Sequence, residues 1–434
     1  MDRRLPFRRL VALQYRDFRL LWLGQLISTM GSQMQLVAVN WHVYDLLKSD
    51  IVTITVWGQA IDLNAGALGL GMLGLVRIVP VILFALVGGI VADVRDRRHV
   101  IIWTQCVAAL VAAVLAMLTF TEQETVPLIY LLSAATAAAA AFELPAQQAL
   151  IPNLVSQRDL TNAVSLNTLL FQIATITGPA LAGLLVSRFS LGLVYAINTV
   201  SFLALIGAVL LMRYRGQAAA KNTGIGWSAL LEGLRFTYNS RLIWSTMLLD
   251  FFATFFSSAR TMLPIVADEI LGVGVRGYGL LATAQPVGSL IAGIVLSLRR
   301  DIYRQGTVLL LSVAVYGLAT VFFGLSSSFA LSYLLFALSG AGDTVSTVIR
   351  GTIRQIMTPD YLRGRMTGIN MMFFMGGPQL GELEAGIMAA LFGVPFAIVS
   401  GGVATVLLTG WVAWKYPQLR NYTSKTTKQP VQPQ

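Results

Sequence analysis

The sequence predicts an all-α membrane protein: twelve transmembrane helices in two pseudo-symmetric bundles of six. Three observations carry that reading. Charged residues make up only 12% of the 434-residue chain, against 56% hydrophobic residues and a mean hydropathy of +0.71; an ordinary soluble domain is about 25% charged. Apolar runs of about 20 residues, the length of one bilayer crossing, recur along almost the whole chain. One polar stretch, Arg213–Arg241, divides those runs six and six. The same composition excludes a soluble enzyme, a nucleic-acid binder and a disordered protein.

Taken in order, the first span is read over Phe18–Leu46. The arginine-rich segment Met1–Phe18 precedes it with no small-residue cleavage site, so it reads as a retained first helix and not a removed signal peptide. Spans then follow at Ala67–Ala92, Val100–Phe120, Pro127–Leu150, Ala163–Ser187 and Leu191–Met212. The second half has Leu242–Ala267, Tyr278–Leu298, Thr307–Leu325, Ala330–Ile349, Thr367–Phe392 and Pro395–Trp414. All are expected to be helices, because lipid offers no partner to unpaired backbone groups. The single cysteine, Cys106, lies in an apolar run, so no disulfide framework exists. The domains expected are residues 1–212, a linker 213–241, residues 242–416 and a disordered tail 417–434. Within the linker, Leu230, Leu231, Leu234, Phe236 and Tyr238 share one face of a helix over Trp227–Tyr238, which suits the membrane surface.

Charge fixes the orientation. Nearly all of the 31 Lys and Arg residues fall in alternate loops and at the two ends, while Lys48, Arg188 and Arg276 lie in the opposite loops. By the positive-inside rule both termini are cytoplasmic, and the net charge of +11 is a topology signal, not a nucleic-acid footprint. Two segments, Leu154–Leu160 and Ile356–Leu362, resemble each other at matching places after the fourth and tenth spans. Two parallel halves of this kind are a transporter architecture, with the substrate site near the bilayer midplane.

The loop after the second span reads Gly88-Gly-Ile-Val-Ala-Asp-Val-Arg-Asp-Arg-Arg-His99. Glycine there lets another helix approach, and Asp93 at a helix end can face a neighbouring helix N-terminus. Arg95, Arg97 and Arg98 can pair with it or with lipid phosphates, so Gly89, Asp93, Arg97 and Arg98 are read as a conformational latch. The pattern Gly89-x-x-x-Asp93-x-x-x-Arg97-Arg98 resembles the signature loop of the major facilitator superfamily, with Val94 in place of an Arg and Asp96 in place of a Gly. The Asp-Arg-Arg ending, the segments Phe142–Leu154 and Pro359–Arg365, and Leu234-Arg-Phe236 resemble the branch of enterobactin (siderophore) exporters and macrolide or drug efflux proteins. The resemblance implies the major facilitator fold and drug–proton antiport. Gly178, Pro179 and Gly183 form part of the antiporter Gly-Pro motif, although Ala174 replaces its upstream Gly. The fourth span also lacks the arginine that many proton-driven pumps of the superfamily carry.

Ionisable groups inside spans cost a few kcal/mol, roughly, and so are functional candidates. Asp343, in Gly340-Ala-Gly-Asp-Thr344, precedes Arg350 by about two turns, so the two share a face. Either they form a structural ion pair, or Asp343 is a protonation switch. Asp250 and Arg260 lie in the seventh span; Asp250 is a second switch candidate or an interhelical cap. Arg77 needs a partner, and Glu382, Glu384, Glu143 or an anionic substrate could supply it. Glu382 and Glu384 point about 200° apart, so only one can face a cavity. His42 and His99 are too isolated for a metal site.

No phosphate-binding Gly-x-x-x-x-Gly-Lys-[Ser/Thr] loop, zinc-protease His-Glu-x-x-His or Gly-x-Ser-x-Gly elbow occurs. The expectation is therefore a monomeric secondary transporter of the cytoplasmic membrane, with no enzyme activity, cofactor or metal and no nucleic-acid partner. It exports a bulky amphipathic small molecule in exchange for protons by alternating access. An importer or facilitator of a metal ion or lysolipid in the same fold is the alternative.

Overall fold

The computed structural model describes residues 6–56, 59–215, 234–299, 302–359 and 362–423. Among them, twelve long helices follow one another. The first six are α1 (Arg16–Leu47), α2 (Ala65–Val94), α3 (Arg97–Phe120), α4 (Val126–Leu150), α5 (Leu160–Arg188) and α6 (Leu191–Leu210). The second six are α7 (Arg241–Phe256), α8 (Gly274–Leu298), α9 (Gln305–Leu325), α10 (Phe329–Met357), α11 (Arg363–Phe392) and α12 (Val394–Lys415). Ten of the predicted spans are long and apolar enough to cross a membrane. The remaining two, α1 and α11, have the length, at 32 and 30 residues, but carry more polar side chains. α1 buries Gln25, Ser28, Gln35 and His42, and α11 holds Asn370, Gln379, Glu382 and Glu384.

The chain forms two compact units. The first contains α1, α2 from Val76 onward, α3 to α6, and the stretch Val275–Thr283 of α8. Its core gathers Phe18, Leu21, Ile101, Leu150, Leu166, Leu205 and Val209. The second contains α2 up to Leu75, α7, α8 from Ala284 onward, and α9 to α12. Its core gathers Leu249, Ala253, Leu309, Val313, Ile349, Ile353 and Val412. Because lipid tails are as apolar as leucine, such helices associate through close packing and polar contacts more than through hydrophobic transfer.

Two expectations change, and one element is new. The seventh span, read as one helix over Leu242–Ala267, breaks after Phe256. Ser257 leaves the helix, and the chain continues as a tight 3-10 turn, Ala259–Met262, and a wide turn, Val266–Ile270. Side chains from distant helices compensate the break: Tyr316 OH donates to the Ser257 carbonyl at 3.2 Å, and the Ser257 and Thr405 hydroxyls pair at 2.8 Å. Next, the loop between the first two spans holds an antiparallel hairpin, β1 (Ile51–Val56) with β2 (Gln59–Asn64). The Thr53 hydroxyl donates to Asp62 at 2.7 Å across it, and the unbroken run of β-branched residues Ile51–Val56 is the local signal for it. Finally, the tail expected to be disordered from 417 begins as a short helix, Pro417–Arg420. It buries Leu419 and Tyr422 in the core of the second unit. Residues 424–434 lie outside the described residues. In the linker, residues 234–239 are helical, whereas Trp227, Leu230 and Leu231 lie outside the described residues.

Candidate functional site

Among the described residues, a buried charge cluster joins α7 and α10 inside the second unit. Arg350 Nη2 lies 2.7 Å from Asp250 Oδ1 and 3.9 Å from Asp343 Oδ1. It also donates to Thr347 Oγ1 at 2.9 Å. The Arg350 and Asp250 side chains are 2% and 5% exposed, whereas that of Asp343 is 43% exposed. Two carboxylates therefore share one arginine unequally. Asp250 is its fixed counterion in a short charge-assisted bond; Asp343 stands off, open to exchange. The α10 spacing brings Asp343 and Arg350 together as read, while Asp250 proves to be the tight interhelical partner. Arg260, read as lying inside the span, falls in the α7 break and is exposed.

The other candidates disperse. Glu143 accepts from Gln105 Nε2 at 2.6 Å and from the Gln147 amide, and Gln105 Oε1 in turn accepts from Ser28 Oγ at 3.0 Å. The amides of α3 and α4 thus occupy Glu143. Arg77 donates to Asn40 Oδ1 at 3.0 Å. Glu382 packs on Gly74 of α2, where a Cβ would come within 2.6 Å of its own Cβ, and Glu384 is half-buried.

At the α2–α3 loop, close helix approach belongs to Gly88, where a Cβ would meet the Ala141 carbonyl of α4 at 2.3 Å. Gly89 faces open space. The Asp93 side chain lies outside the described residues. Asp96 caps α3 by accepting from Arg98 N at 2.9 Å. Arg97 Nη1 donates to Ala149 O at 2.9 Å, and Arg98 donates to Val209 O at 2.7 Å and Tyr214 O at 2.9 Å. These two arginines neutralise the carbonyl-rich C-terminal ends of α4 and α6. Arg98→Gln, which loses two charge-assisted bonds, is expected to lower stability by about 2 kcal/mol. A drop in the thermal midpoint of the purified protein checks this, with Arg98→Lys recovering part of it.

In α5, a Cβ on Gly178 would sit 2.9 Å from the Met30 carbonyl of α1, and one on Gly183 would sit 2.8 Å from Gly279 Cα. Buried Pro179 lies between them within a continuous helix. Sequence reasoning missed a buried contact chain that ends on the α3–α4 loop just before α4. His42 Nδ1 lies 3.1 Å from the Tyr195 hydroxyl, and His42 Nε2 lies 3.4 Å from Glu124 Oε1. No spacing rule links residues so far apart in the chain.

Ten candidate membrane spans among the described residues, within a succession of twelve helices, make this a multi-pass membrane protein, and the family and relatives it matches place it among the transporters of the major facilitator superfamily. The family described as transmembrane secretion effector matches residues 8–433, and the chain belongs to that family. It is 25% identical over 396 residues to the enterobactin exporter EntS of Escherichia coli O127:H6 (strain E2348/69 / EPEC), covering 91% of this chain and 90% of that protein. EntS of Shigella boydii serotype 18 (strain CDC 3083-94 / BS512) matches with the same identity and coverage, 25%, 91% and 90%. Among solved structures, a bacterial homologue of the human lysosomal transporter Spinster, inward-facing and unoccupied, aligns with a TM-score of 0.71 at 14% identity, covering 96% of this chain and 99% of that one. A bacterial homologue of the iron transporter ferroportin, in an inward-facing state, aligns with a TM-score of 0.66 at 16% identity, covering 92% and 98%. At these identities the solved structures support the fold alone.

Proposed function

We propose that the chain exports a bulky amphipathic small molecule, a siderophore or a drug, across the cytoplasmic membrane in exchange for protons. It acts as a monomer by alternating access, with both termini cytoplasmic. The observation that carries the coupling is the unequal sharing of Arg350: Asp250 is buried against it at 2.7 Å, while Asp343 is half-exposed at 3.9 Å. A proton arriving at Asp343 removes one of two negative charges facing the arginine without disturbing the tight pair. That is a local charge change able to bias a two-state helix arrangement. The export direction rests on the names of the relatives and on the family. Gly89, Asp93, Arg97 and Arg98 act as the latch of the state closed at the cytoplasmic side; within the first unit, Arg97 and Arg98 anchor the loop that carries it on the ends of α4 and α6.

The test places purified protein in vesicles with an imposed pH gradient and a pH dye, challenged with a catecholate siderophore, a macrolide and a lipophilic cation. Proton flux evoked by one ligand and lost in Asp343→Asn is the expected result. Undiminished flux in that variant removes Asp343 from the coupling. Ligand binding with no flux from any of the three points to another coupling ion.

A further inference from the structure

Between α10 and α11 of the second unit lies a cavity of about 690 Å³ whose lining includes Gly351, Arg354, Gln355, Thr358, Met366 and Asn370. A volume of roughly 300–1,000 Å³ is that of a small-molecule site. Three polar atoms of this lining are buried without a hydrogen-bond partner: Arg354 Nη1, Thr358 Oγ1 and Asn370 Oδ1. Thr358 is only 3% exposed. Buried polar atoms are nearly always paired, so three orphans in one lining, from α10, its C-cap and α11, point to a missing partner. Their chemistry describes that partner. The guanidinium can only donate, the hydroxyl can donate or accept, and the amide presents its oxygen or, after a half-turn, its nitrogen. The carboxylates Asp250 and Asp343 bridge Arg350, one turn away, and among the described residues none bridges Arg354. Gly351 keeps the wall open, since a Cβ there would meet nothing within 4 Å.

We infer that this cavity binds the oxyanion of a small organic ligand, a carboxylate, phenolate or phosphate oxygen. Arg354 is its charge partner, with Thr358 and Asn370 as hydrogen-bonding partners. Only the identification of that ligand with the cargo rests on the exporter reading; binding itself needs no gradient.

Equilibrium binding to the full-length protein in phosphatidylcholine nanodiscs tests this, with 2,3-dihydroxybenzoate, benzoate, inorganic phosphate and uncharged catechol as probes. At least one anion is expected to bind saturably and better than catechol. Arg354→Gln should weaken it roughly tenfold or more, Arg354→Lys in part, and Gly351→Leu, which puts a bulky side chain into the cavity one turn from Arg354, should weaken it as well. Arg188→Gln, which removes an equal charge from an exposed site outside this cavity, should leave binding unchanged. Gel-filtration profiles separate these effects from misfolding. Equal anion binding by wild type and a folded Arg354→Gln overturns the site, as does absence of saturation by every probe, which means a water-filled vestibule only. If vesicle transport proceeds all the same, the exporter reading stands. Arg354-dependent binding with silent vesicles supports the site and counts against the exporter reading. In phosphatidylglycerol nanodiscs, loss of probe binding to the wild type supports the oxyanion site and assigns its occupant to a lipid headgroup. Retention there supports a free anion.

Discussion

Arg350→Met is expected to be among the most damaging single substitutions in the chain, costing about 3–5 kcal/mol of stability. Arg350 is 2% exposed and holds Asp250, itself 3% exposed, at 2.7 Å. Removing the arginine leaves Asp250 charged, buried and unbalanced, with the Asp343 carboxylate close by, and the desolvation cost of that charge is no longer offset. The pair need not be a large net stabiliser for this to hold, because the loss comes from breaking it on one side. The double substitution Asp250→Asn with Arg350→Met removes both charges and is therefore expected to recover most of the loss. Asp343→Asn alone is expected to change stability by less than about 1 kcal/mol, because that carboxyl is half-exposed and stands off from the arginine. Thermal midpoints and the monodisperse fraction of detergent-purified protein read all three. A wild-type midpoint in Arg350→Met, or a double variant no better than the single, would falsify this account of the cluster.

The helices were legible because each bilayer-crossing signal is a sum over some 20 residues, which a few exceptions cannot reverse. The exceptions carry the rest of the story. α1 and α11 are span-length helices diluted by Gln25, Gln35, His42, Glu382 and Glu384, polar groups that the surrounding helices accommodate. The break in α7 was not legible, because what stabilises it is the Tyr316 hydroxyl on α9 and the Thr405 hydroxyl on α12. Neither is near Ser257 in sequence. The tail shows the same limit: Pro417–Arg420 looks like a polar end until Leu419 and Tyr422 find the core of α9 and α12.

The site divides along the same line. Helical periodicity alone put Asp343 and Arg350 on one face, and they do meet. The partner that holds the arginine tightest, Asp250, comes from another helix, so spacing could nominate it but not assign it. Arg260 lies apart from the Arg350 cluster because α7 breaks before it, and that break has no local signal. Gly88, not Gly89, meets α4, a one-residue distinction set by the rotation of α2 that a motif does not encode. The Arg354 cavity exists only once α10 and α11 are packed, since none of its lining side chains is unusual in sequence.

The second large effect is expected where α8 crosses α10. A Cβ on Gly288 would lie 1.7 Å from the Ala337 carbonyl oxygen, and one on Gly340 would lie 2.2 Å from the Gln285 carbonyl oxygen. The contact is reciprocal: each glycine receives the backbone of a residue one turn before the other glycine. Ser289 Oγ donates to the Gly340 carbonyl at 3.1 Å alongside it. Backbone against backbone leaves no flexible side chain to swing away, so even alanine must push the two helices apart. Gly288→Leu is expected to cost at least about 1–3 kcal/mol through overpacking, together with the small-residue packing that holds membrane helices together. Gly207 of α6 supplies the comparison, since a Cβ there meets nothing within 4 Å. Gly207→Ala should be neutral or stabilising by up to about 1 kcal/mol, as alanine is the better helix former. Because α10 carries Asp343, Arg350 and Arg354, a forced shift of that helix also displaces the charge cluster from α7. Gly340→Ala should therefore reduce ligand-evoked proton flux in vesicles by more than its lowered thermal midpoint accounts for, whereas Gly207→Ala should leave the flux intact. Equal flux per folded molecule in the two variants would mean that the α8–α10 crossing holds the scaffold together without setting the geometry of the cluster.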